Sequence, residues 1–455
     1  MKTYQDLLEI GENITDRMDF VRRIINEYKA SEGYREGTTA YEYACHRNVT
    51  INQYQKLLYT VSGKAVPDNF SANWKMASNF FFRFVTQETQ YLLGNGITWR
   101  SDSTASKLGL NFETQLQKLG KAALIGGVAF GFWNFDHLEV FDVQEFAPLY
   151  DEENGALMAG VRFWQLAHDK PMRATLYEPD GYTEYIWRNG SGSILHDKRS
   201  YVLKTRTTTA DGTEIYGGEN YPGFPIVPLW GNQNHQSELV GLREQIDCYD
   251  LIKSGFANDL DDASQIYWVI QNAGGMDDVD LAQFVERMRT VKAAVVDDSG
   301  AKAEAHTIDV PYESRETLLE RISADLYRDA MALDTKLIAG GAVTATQIRA
   351  AYEPLNSKTD EFEYCVCDFL DDILFLAGIA DEKPTFTRSM MLNRSEEIDS
   401  VLKSAQFLDE DYVTRKLLTI QGDGDMADEM IVKLHNDELG RMSLNVGQPE
   451  EEPEA

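Results

Sequence analysis

The chain has 455 residues, 43% of them apolar and 11% aromatic, which is enough to form the cores of roughly three domains and excludes a disordered protein. Asp and Glu number 74 against 43 Lys and Arg, and the formal net charge is −31. A surface this acidic disfavours tight binding to nucleic-acid phosphates, although an acidic wall would let a polyanion slide past it.

The sequence shows no sign of export or of membrane insertion. The N-terminus does not form a signal peptide, and the most apolar run, residues 122–133, is too short to span a bilayer. The four cysteines include no CxxC zinc pair, so we expect reduced, mostly buried thiols at Cys45, Cys248, Cys365 and Cys367. These features predict a soluble protein made inside the cell.

The first half of the chain contains predicted helices followed by a β region. Apolar residues at helical spacing predict helices over residues 1–60, 70–93 and 110–125, the second of which ends at the turn Gly94-Asn95-Gly96. From about residue 127 to 230, alternating apolar residues and turn sequences predict antiparallel hairpins. The expected fold class is α+β, mainly helical.

Two amphipathic helices flank a small insert in the second half. The first is predicted from Ser237, as its N-cap, to Asp262, and the second from Ser314 to Ile338. Their apolar stripes are Leu242, Ile246, Tyr249, Ile252, Phe256 and Leu260, and Leu318, Ile322, Leu326, Ala330, Leu333 and Leu337. The insert has predicted strands at 266–270, 293–296 and 303–310 and a short helix at 279–289. At about 45 residues it is too small for much core, so we expect it to pack against copies of itself or a partner.

A third, longer helix follows a glycine-containing loop formed by Ala339, Gly340, Gly341, Ala342 and Val343. Thr344 and Gln347 predict a capping box that opens this helix, and Gly378 ends it. Glycine tolerates unusual dihedrals, so the loop can move, although an ordinary helix connection fits the same residues. Pro354 inside the helix removes one hydrogen bond and predicts a kink. The remaining segments are short helices over residues 395–442 and an acidic, disordered tail over 449–455.

No stretch of the sequence carries a catalytic, cofactor-binding or metal-binding motif. Gly94-Asn95-Gly96 lacks the third glycine of a dinucleotide loop, and the Gly340-Gly341 pair is not followed by the Lys-Ser/Thr of a P-loop. The seven histidines are scattered without metal-ligand spacing. An enzyme is therefore disfavoured, and no catalytic residue, cofactor or metal ligand is predicted.

The order and spacing of several short segments are more informative than any one of them. The segments are Tyr91 to Thr98, Asn232-Gln233-Asn234 with Ser237-Glu238-Leu239, Asn258-Asp259-Leu260, and Gly340 to Leu355. Together they resemble the portal proteins of tailed bacteriophages, in the branch shared with the Bacillus siphophage type of portal. The resemblance covers most of the chain.

The resemblance implies a portal-type fold that assembles as a homo-oligomeric ring of about twelve copies. By this analogy the ring lies at the unique capsid vertex of the virion, where terminase packages double-stranded DNA through it and the DNA later leaves. The implied partners are the passing DNA, the terminase large subunit, a head–tail adaptor, and the major capsid and scaffold proteins, with no membrane and no cofactor. The protein would be made in the bacterial host cytoplasm.

The same analogy divides the chain into regions. These are a wing (1–236), stem helices (237–262 and 312–338), a clip (263–311), a tunnel loop (339–345), a long kinked wing helix (346–378), a crown (379–442) and an acidic tail (443–455). Lys336 and Arg349 flank the tunnel loop and could touch DNA phosphates transiently, or could pair with neighbouring acids instead. The loop carries Ala342-Val343-Thr344 where many relatives have a Ser-Gly or Asn-rich turn, and the crown is short.

Two alternatives fit the sequence less well. A metal-dependent acidic hydrolase or nuclease would cluster its carboxylates at strand ends, whereas the acids here are dispersed over helices. Another virion ring or scaffold would share the architecture but would have no DNA channel.

Overall fold

A computed structural model describes residues 2–11, 13–59, 63–68, 73–188, 190–208, 214–263, 267–271, 283, 302–306, 312–338, 344–389, 394–422 and 424–435. Helix exceeds strand, which confirms the α+β, mainly helical class. The chain divides into two compact units. The first is residues 1–332 with 358–387, and the second is residues 333–357 with 388–455.

The first unit begins with a run of helices, and side-chain caps fix the starts of the first three. Thr3 forms a capping box with Asp6, and Ser31 accepts a hydrogen bond from the Tyr34 amide. The helices are α1 (Tyr4–Ile10), α2 (Ile14–Ala30), α3 (Glu32–Ala44), α4 (Val49–Gln53), α5 (Phe80–Leu93), α6 (Asp102–Leu108) and α7 (Phe112–Gly126). Gly127 ends α7 with a φ of 83°, and a Cβ there would lie 2.9 Å from the Gln236 backbone. This close approach holds the segment before the next long helix against α7.

The strands between residues 128 and 230 are antiparallel, as the sequence predicts. The first strands are β1 (Leu57–Tyr59), β2 (Ala65–Pro67), β3 (Ile97–Thr98), β4 (Val128–Asn134), β5 (His137–Phe141), β6 (Phe146–Tyr150), β7 (Leu157–Trp164), β8 (Met172–Glu178), β9 (Gly181–Arg188), β10 (Ser191–Arg199), β11 (Val202–Thr208), β12 (Glu214–Glu219) and β13 (Ile226–Trp230). One sheet has the order β10–β9–β8–β7–β6 and another the order β13–β4–β5. Buried side chains of α1 and α2 cover the first sheet, and Phe130, Phe132, Phe141 and Phe146 pack between the two sheets.

Two long helices and most of a third complete the first unit. They are α8 (Arg243–Ala263), α9 (Tyr312–Asp329) and α10 (Ala345–Leu376), of which the first unit holds α10 from Lys358 onward. Strands β14 (Tyr267–Gln271) and β15 (Lys302–His306) pair between α8 and α9, and β16 (Thr385–Phe386) pairs with β3. The largest core joins α3, α5 and α7 to β4, β13 and buried residues of α9, α10 and the start of α8.

The second unit holds the first part of α10 and the C-terminal helices. The predicted capping box is present, since the Thr344 amide donates to Gln347 Oε1 at 3.0 Å and the Gln347 amide donates to Thr344 Oγ1 at 3.4 Å. Helices α11 (Arg394–Ser404) and α12 (Glu410–Gln421) follow, and residues 427–435 are also helical. The sequence therefore located these short helices correctly.

Two predicted helix starts are wrong. The helix predicted over residues 70–93 begins only at Phe80, because residues 73–79 are not helical. The helix predicted after Ser237 begins at Arg243. The Ser237 hydroxyl instead donates to the Ile125 carbonyl at 2.6 Å and accepts from the Leu239 amide at 3.1 Å, which fixes a turn rather than a helix.

Two predicted helix ends are also wrong. The helical stretch predicted over residues 1–60 ends at Gln53, and Leu57–Tyr59 form strand β1 instead. Helix α9 ends at Asp329 and not at Ile338, because Met331 adopts a φ of 53° that a helix cannot contain. Residues Thr335–Leu337 form a separate 3-10 turn in which the Leu337 side chain is 68% exposed. The predicted apolar stripe therefore does not continue to Leu337.

Several predictions fall outside the described residues. These are the helix at 279–289 apart from Gln283, the strand at 293–296, the loop residues Ala339, Gly340, Gly341, Ala342 and Val343, and the tail at 449–455. Pro354 lies inside α10, and the kink there stays a prediction.

The four cysteines are free, but Cys45 and Cys248 are exposed, which corrects the prediction that most of the thiols are buried. Among the helices that the structure describes, none is both long enough and apolar enough to cross a membrane.

Candidate functional site

Helices α8 and α9 form an antiparallel hairpin with a polar contact near each end. Gln245 Nε2 donates to Asp329 Oδ2 at 2.5 Å, and Arg315 Nη1 pairs with Asp259 Oδ2 at 2.5 Å. On each helix the two contacts are fourteen residues apart. That separation is about 21 Å along an α-helix, so the two helices stay in register over this whole length. We call the end near Arg243 and Asp329 the base of the hairpin.

Aromatic side chains join the base to α5. Tyr249 of α8 and Tyr327 of α9 both lie edge-on to Phe80, with ring centroids 5.0 and 6.1 Å away, and Tyr327 also contacts Phe84 at 5.3 Å. Arg83 donates a hydrogen bond to the Tyr327 hydroxyl. Pairs of this geometry contribute about 0.5–1.5 kcal/mol each beyond the area that they bury.

A non-helical segment, residues 73–79, runs along α8, and we call it the strap. Its alternate amides donate to side chains of α8 in reverse order. The pairs are Trp74 N to Asn258 Oδ1 (2.6 Å), Met76 N to Ser254 Oγ (2.9 Å) and Ser78 N to Asp250 Oδ1 (2.9 Å). Four helical residues rise about 6.0 Å and two extended residues about 6.6 Å, so each step along the strap matches one step along the helix.

The strap explains why the buried face of α8 is polar. Leu242 and Ile246 are buried at the base, and the next residues at the same four-residue spacing, Asp250, Ser254 and Asn258, are also buried. Burial raises the pKa of Asp250, and hydrogen bonds from Asn48 and Ser78 oppose that rise. Beyond Ile246, the apolar stripe predicted from the sequence is not the buried face of α8. Its last member, Leu260, is 50% exposed. In the sequence alone, polar residues at this spacing are typical of a solvent-facing side, so the buried polar face was missed.

One ammonium group lies where four segments of the first unit meet. Lys358 Nζ of α10 is 2.9 Å from Glu88 Oε2 of α5 and 2.6 Å from Glu238 Oε2 in the turn before α8, and it donates to the Ala330 carbonyl after α9 at 3.3 Å. We call Lys358, Glu88 and Glu238 the lysine triad. Glu238 is further held by Asn232 Nδ2, which donates to its Oε1 at 2.9 Å. The lysine triad therefore anchors the base of the hairpin to α5 and α10.

The charges of the lysine triad depend on burial. Burial lowers the pKa of Lys358, but the two carboxylates more than offset this effect, and the net shift is upward. Burial raises the pKa of Glu88 to about 7 against the opposing attraction of Lys358. One cation beside two ionised carboxylates would leave a net negative charge in the interior, and a proton on Glu88 removes it.

The residues predicted to lie near DNA belong to the second unit. Lys336 lies in the Thr335–Leu337 turn and Arg349 in the first turns of α10, and both are exposed. Of the six predicted tunnel-loop residues, only Thr344 is described, and it caps α10. Within the described part of the chain, no three His, Cys, Asp or Glu side chains are grouped closely enough to hold a metal ion.

Comparison with known proteins identifies the family. Residues 42–435 match the model of the family described as "Phage portal protein, SPP1 Gp6-like". The chain belongs to this portal family. The resemblance inferred from the sequence is thus confirmed, and the match includes the strap, the lysine triad and the α8–α9 hairpin.

Portal proteins of two phages are similar in sequence. The portal protein of Clostridium phage phiCD119 is 30% identical over 204 residues, which are 43% of this chain and 45% of that protein. The portal protein of Bacillus phage SPP1 is 24% identical over 394 residues, 79% of this chain and 75% of that protein. The chain thus aligns with less than half of the first relative and with three quarters of the second.

Among solved structures, a chain from the neck of a native GTA particle computed with C12 symmetry is similar, with a TM-score of 0.40 and 12% identity. The similarity covers 75% of this chain and 89% of the other.

We predict that the lysine triad carries a measurable pH dependence. Glu88 has a pKa of about 7 in the fold and 4.5 as its ordinary value, so its protonated form stabilises the fold below pH 4.5, and this contribution is lost as the pH rises through about 7. Glu88→Gln removes this titration. The stability of the wild type relative to Glu88→Gln should therefore fall by about 3 kcal/mol between these pH values, measured by urea unfolding.

Two further variants control this experiment. Lys358→Met leaves two buried carboxylates together and should lower the free energy of unfolding by about 3–5 kcal/mol at neutral pH. Asp368→Asn changes an exposed acid on the same helix, away from the lysine triad, and it should leave the pH dependence nearly unchanged. A constant difference between wild type and Glu88→Gln across pH would contradict the charge assignment.

A second prediction concerns the strap. Asn258→Ala removes both hydrogen bonds to the Trp74 backbone, one at its amide and one at its carbonyl, and should destabilise the fold by about 1–3 kcal/mol. Deuterium uptake at residues 73–79 should rise sharply, whereas Cys248→Ala, at an exposed position of the same helix, should not change it. Equal uptake in the two variants would show that the strap does not depend on α8.

Proposed function

We propose that the chain forms the portal ring at one capsid vertex of a phage, through which double-stranded DNA is packaged by terminase and later leaves. Membership of the portal family supports the structural role, and the α8–α9 hairpin carries the proposal further. In the single chain this hairpin leaves large apolar side chains exposed: Leu260 is 50%, Tyr312 56% and Leu318 45% exposed. Contact with neighbouring copies would bury them.

The charge of the hairpin suits a DNA channel. Acidic side chains outnumber basic ones by six to two on α8 and by five to three on α9. A duplex carries one phosphate charge per roughly 1.7 Å, so an acidic bore repels it from all sides and does not retain it. Helices that present apolar side chains to neighbouring copies and acids to the bore would let DNA pass without being captured.

The regions of the ring follow in the same proposal. The N-terminal helices and sheets form the wing, α8 and α9 the stem, residues 263–311 the clip, residues 339–345 the tunnel loop, α10 the long wing helix and the C-terminal helices the crown. The clip would meet terminase and later the head–tail adaptor, and the major capsid and scaffold proteins would surround the ring. The role proposed is structural rather than catalytic.

The ring is tested by its mass and by one substitution in the stem. We expect native mass spectrometry of the purified chain to show an assembly of about twelve copies. Leu318→Glu should disperse it because the carboxylate would be buried between copies. Leu166→Glu is a matched control, since Leu166 is 87% exposed in the loop after β7. A monomer at high concentration, above all one with metal-dependent hydrolytic activity, would contradict the proposal.

The DNA-proximal cations are tested separately. We infer that Lys336 and Arg349 touch phosphates transiently, so the double variant Lys336→Ala/Arg349→Ala should form normal rings yet package several-fold less DNA in infected cells. Arg23→Ala, at an exposed position on α2, should package normally. Unchanged packaging in the double variant would remove both residues from the channel.

A further inference from the structure

A cationic cavity lies in the first unit, away from the α8–α9 hairpin. It has a volume of about 540 Å³ and lies between α2, the loop that joins β7 to β8, and the turn after β9. The cations that line it are Arg22 on α2, Lys170 in the loop and Arg188 at the end of β9. Three cations around one cavity are unusual in a chain with a net charge of −31.

These cations are incompletely neutralised. The one carboxylate in the lining, Asp169, lies 3.3 Å from Lys170 Nζ. Arg22 and Arg188 make no ion pair with any residue that the structure describes, although acids outnumber bases by 74 to 43 in the chain. Two exposed guanidinium groups that face one cavity provide a pair of planar forks suited to carboxylates.

The cavity walls are ordered by their own hydrogen bonds. Gln165 Nε2 donates to the carbonyls of His168 at 3.2 Å and Lys170 at 2.8 Å, and the Lys170 amide donates to the Ala167 carbonyl at 2.9 Å. The loop is therefore folded on itself and holds Lys170 at the cavity. Met172, which is half-buried, adds apolar surface to the lining, and Trp187 is buried beneath it.

We infer that this cavity binds an acidic peptide segment of a partner protein, with carboxylates on Arg22 and Arg188 and an apolar side chain against Met172. The apolar surface of Met172 favours a peptide over a phosphate backbone. A short acidic segment can reach the three cations without lying along the acidic surface that repels an extended polyanion. The inference does not depend on the proposed channel, because no residue of the hairpin contributes to the cavity.

The experiment is a binding titration on the full chain by fluorescence anisotropy. The probe is a fluorescein-labelled peptide of sequence Glu-Leu-Glu-Glu-Leu-Glu, and the same peptide with Gln in place of Glu is the negative probe. We expect the acidic peptide to bind, and Arg22→Gln/Arg188→Gln to weaken its affinity by about tenfold or more. The matched control is Arg23→Gln/Arg173→Gln. Arg23 is next to Arg22 on α2 and Arg173 lies on β8, and both are exposed outside the cavity lining, so this variant should change the affinity by less than about twofold.

Other outcomes overturn the inference. Failure of the acidic peptide to bind, or equal affinity in the two double variants, would exclude the cavity as its site. Tighter competition by inorganic phosphate or by a thymidine hexanucleotide than by unlabelled peptide would assign the cavity to a phosphate ligand instead. If the double variant lost its fold by circular dichroism, Arg22→Gln and Arg188→Gln alone should each weaken binding several-fold, and unchanged affinity in both would refute the proposal.

Discussion

The arrangement of the first unit depends on a single buried ammonium group. Lys358 lies within 3.0 Å of carboxylates from α5 and from the turn before α8, and it also binds the carbonyl that follows α9. Loss of Lys358 leaves the Glu88 and Glu238 carboxyl groups without a counter-charge in the interior, at a cost of several kcal/mol. The four segments are therefore fixed relative to one another, and the hairpin is held rigidly at its base, where α8 starts and α9 ends.

The strap extends this fixation along α8. Two residues of the strap rise about as far as four residues of α8, so three side chains on one face of α8 accept hydrogen bonds from three alternate amides of the strap. The buried polar side chains thereby satisfy backbone amides that have no sheet partner. The rest of the hairpin surface is left to apolar side chains such as Leu260 and Leu318 and to acids. The hairpin thus has one rigid face, which binds the strap, and one face with exposed apolar side chains. The second face is the one that the proposed ring would bury between copies.

Local patterns in the sequence predicted the local features well. The antiparallel hairpins between residues 128 and 230 and the Thr344–Gln347 capping box depend on neighbouring residues, and each is present. The start of α8 could not be predicted, because Ser237 has a strong N-cap preference but bonds to Ile125, more than a hundred residues away. Similarly, Glu88, Glu238 and Lys358 lie far apart in the sequence, and nothing local shows that they meet. Asp250, Ser254 and Asn258 suggest a solvent-facing side until the strap is placed on them.

The most direct measurement is an electron cryo-microscopy reconstruction of the purified assembly that identifies which helices line its centre. We expect a closed ring with a central hole, with α8 and α9 of every copy along the bore and with Leu260 and Leu318 buried between copies. A ring with this hairpin on its outer surface, or an assembly without a hole, would contradict the proposal that the hairpin forms a DNA channel.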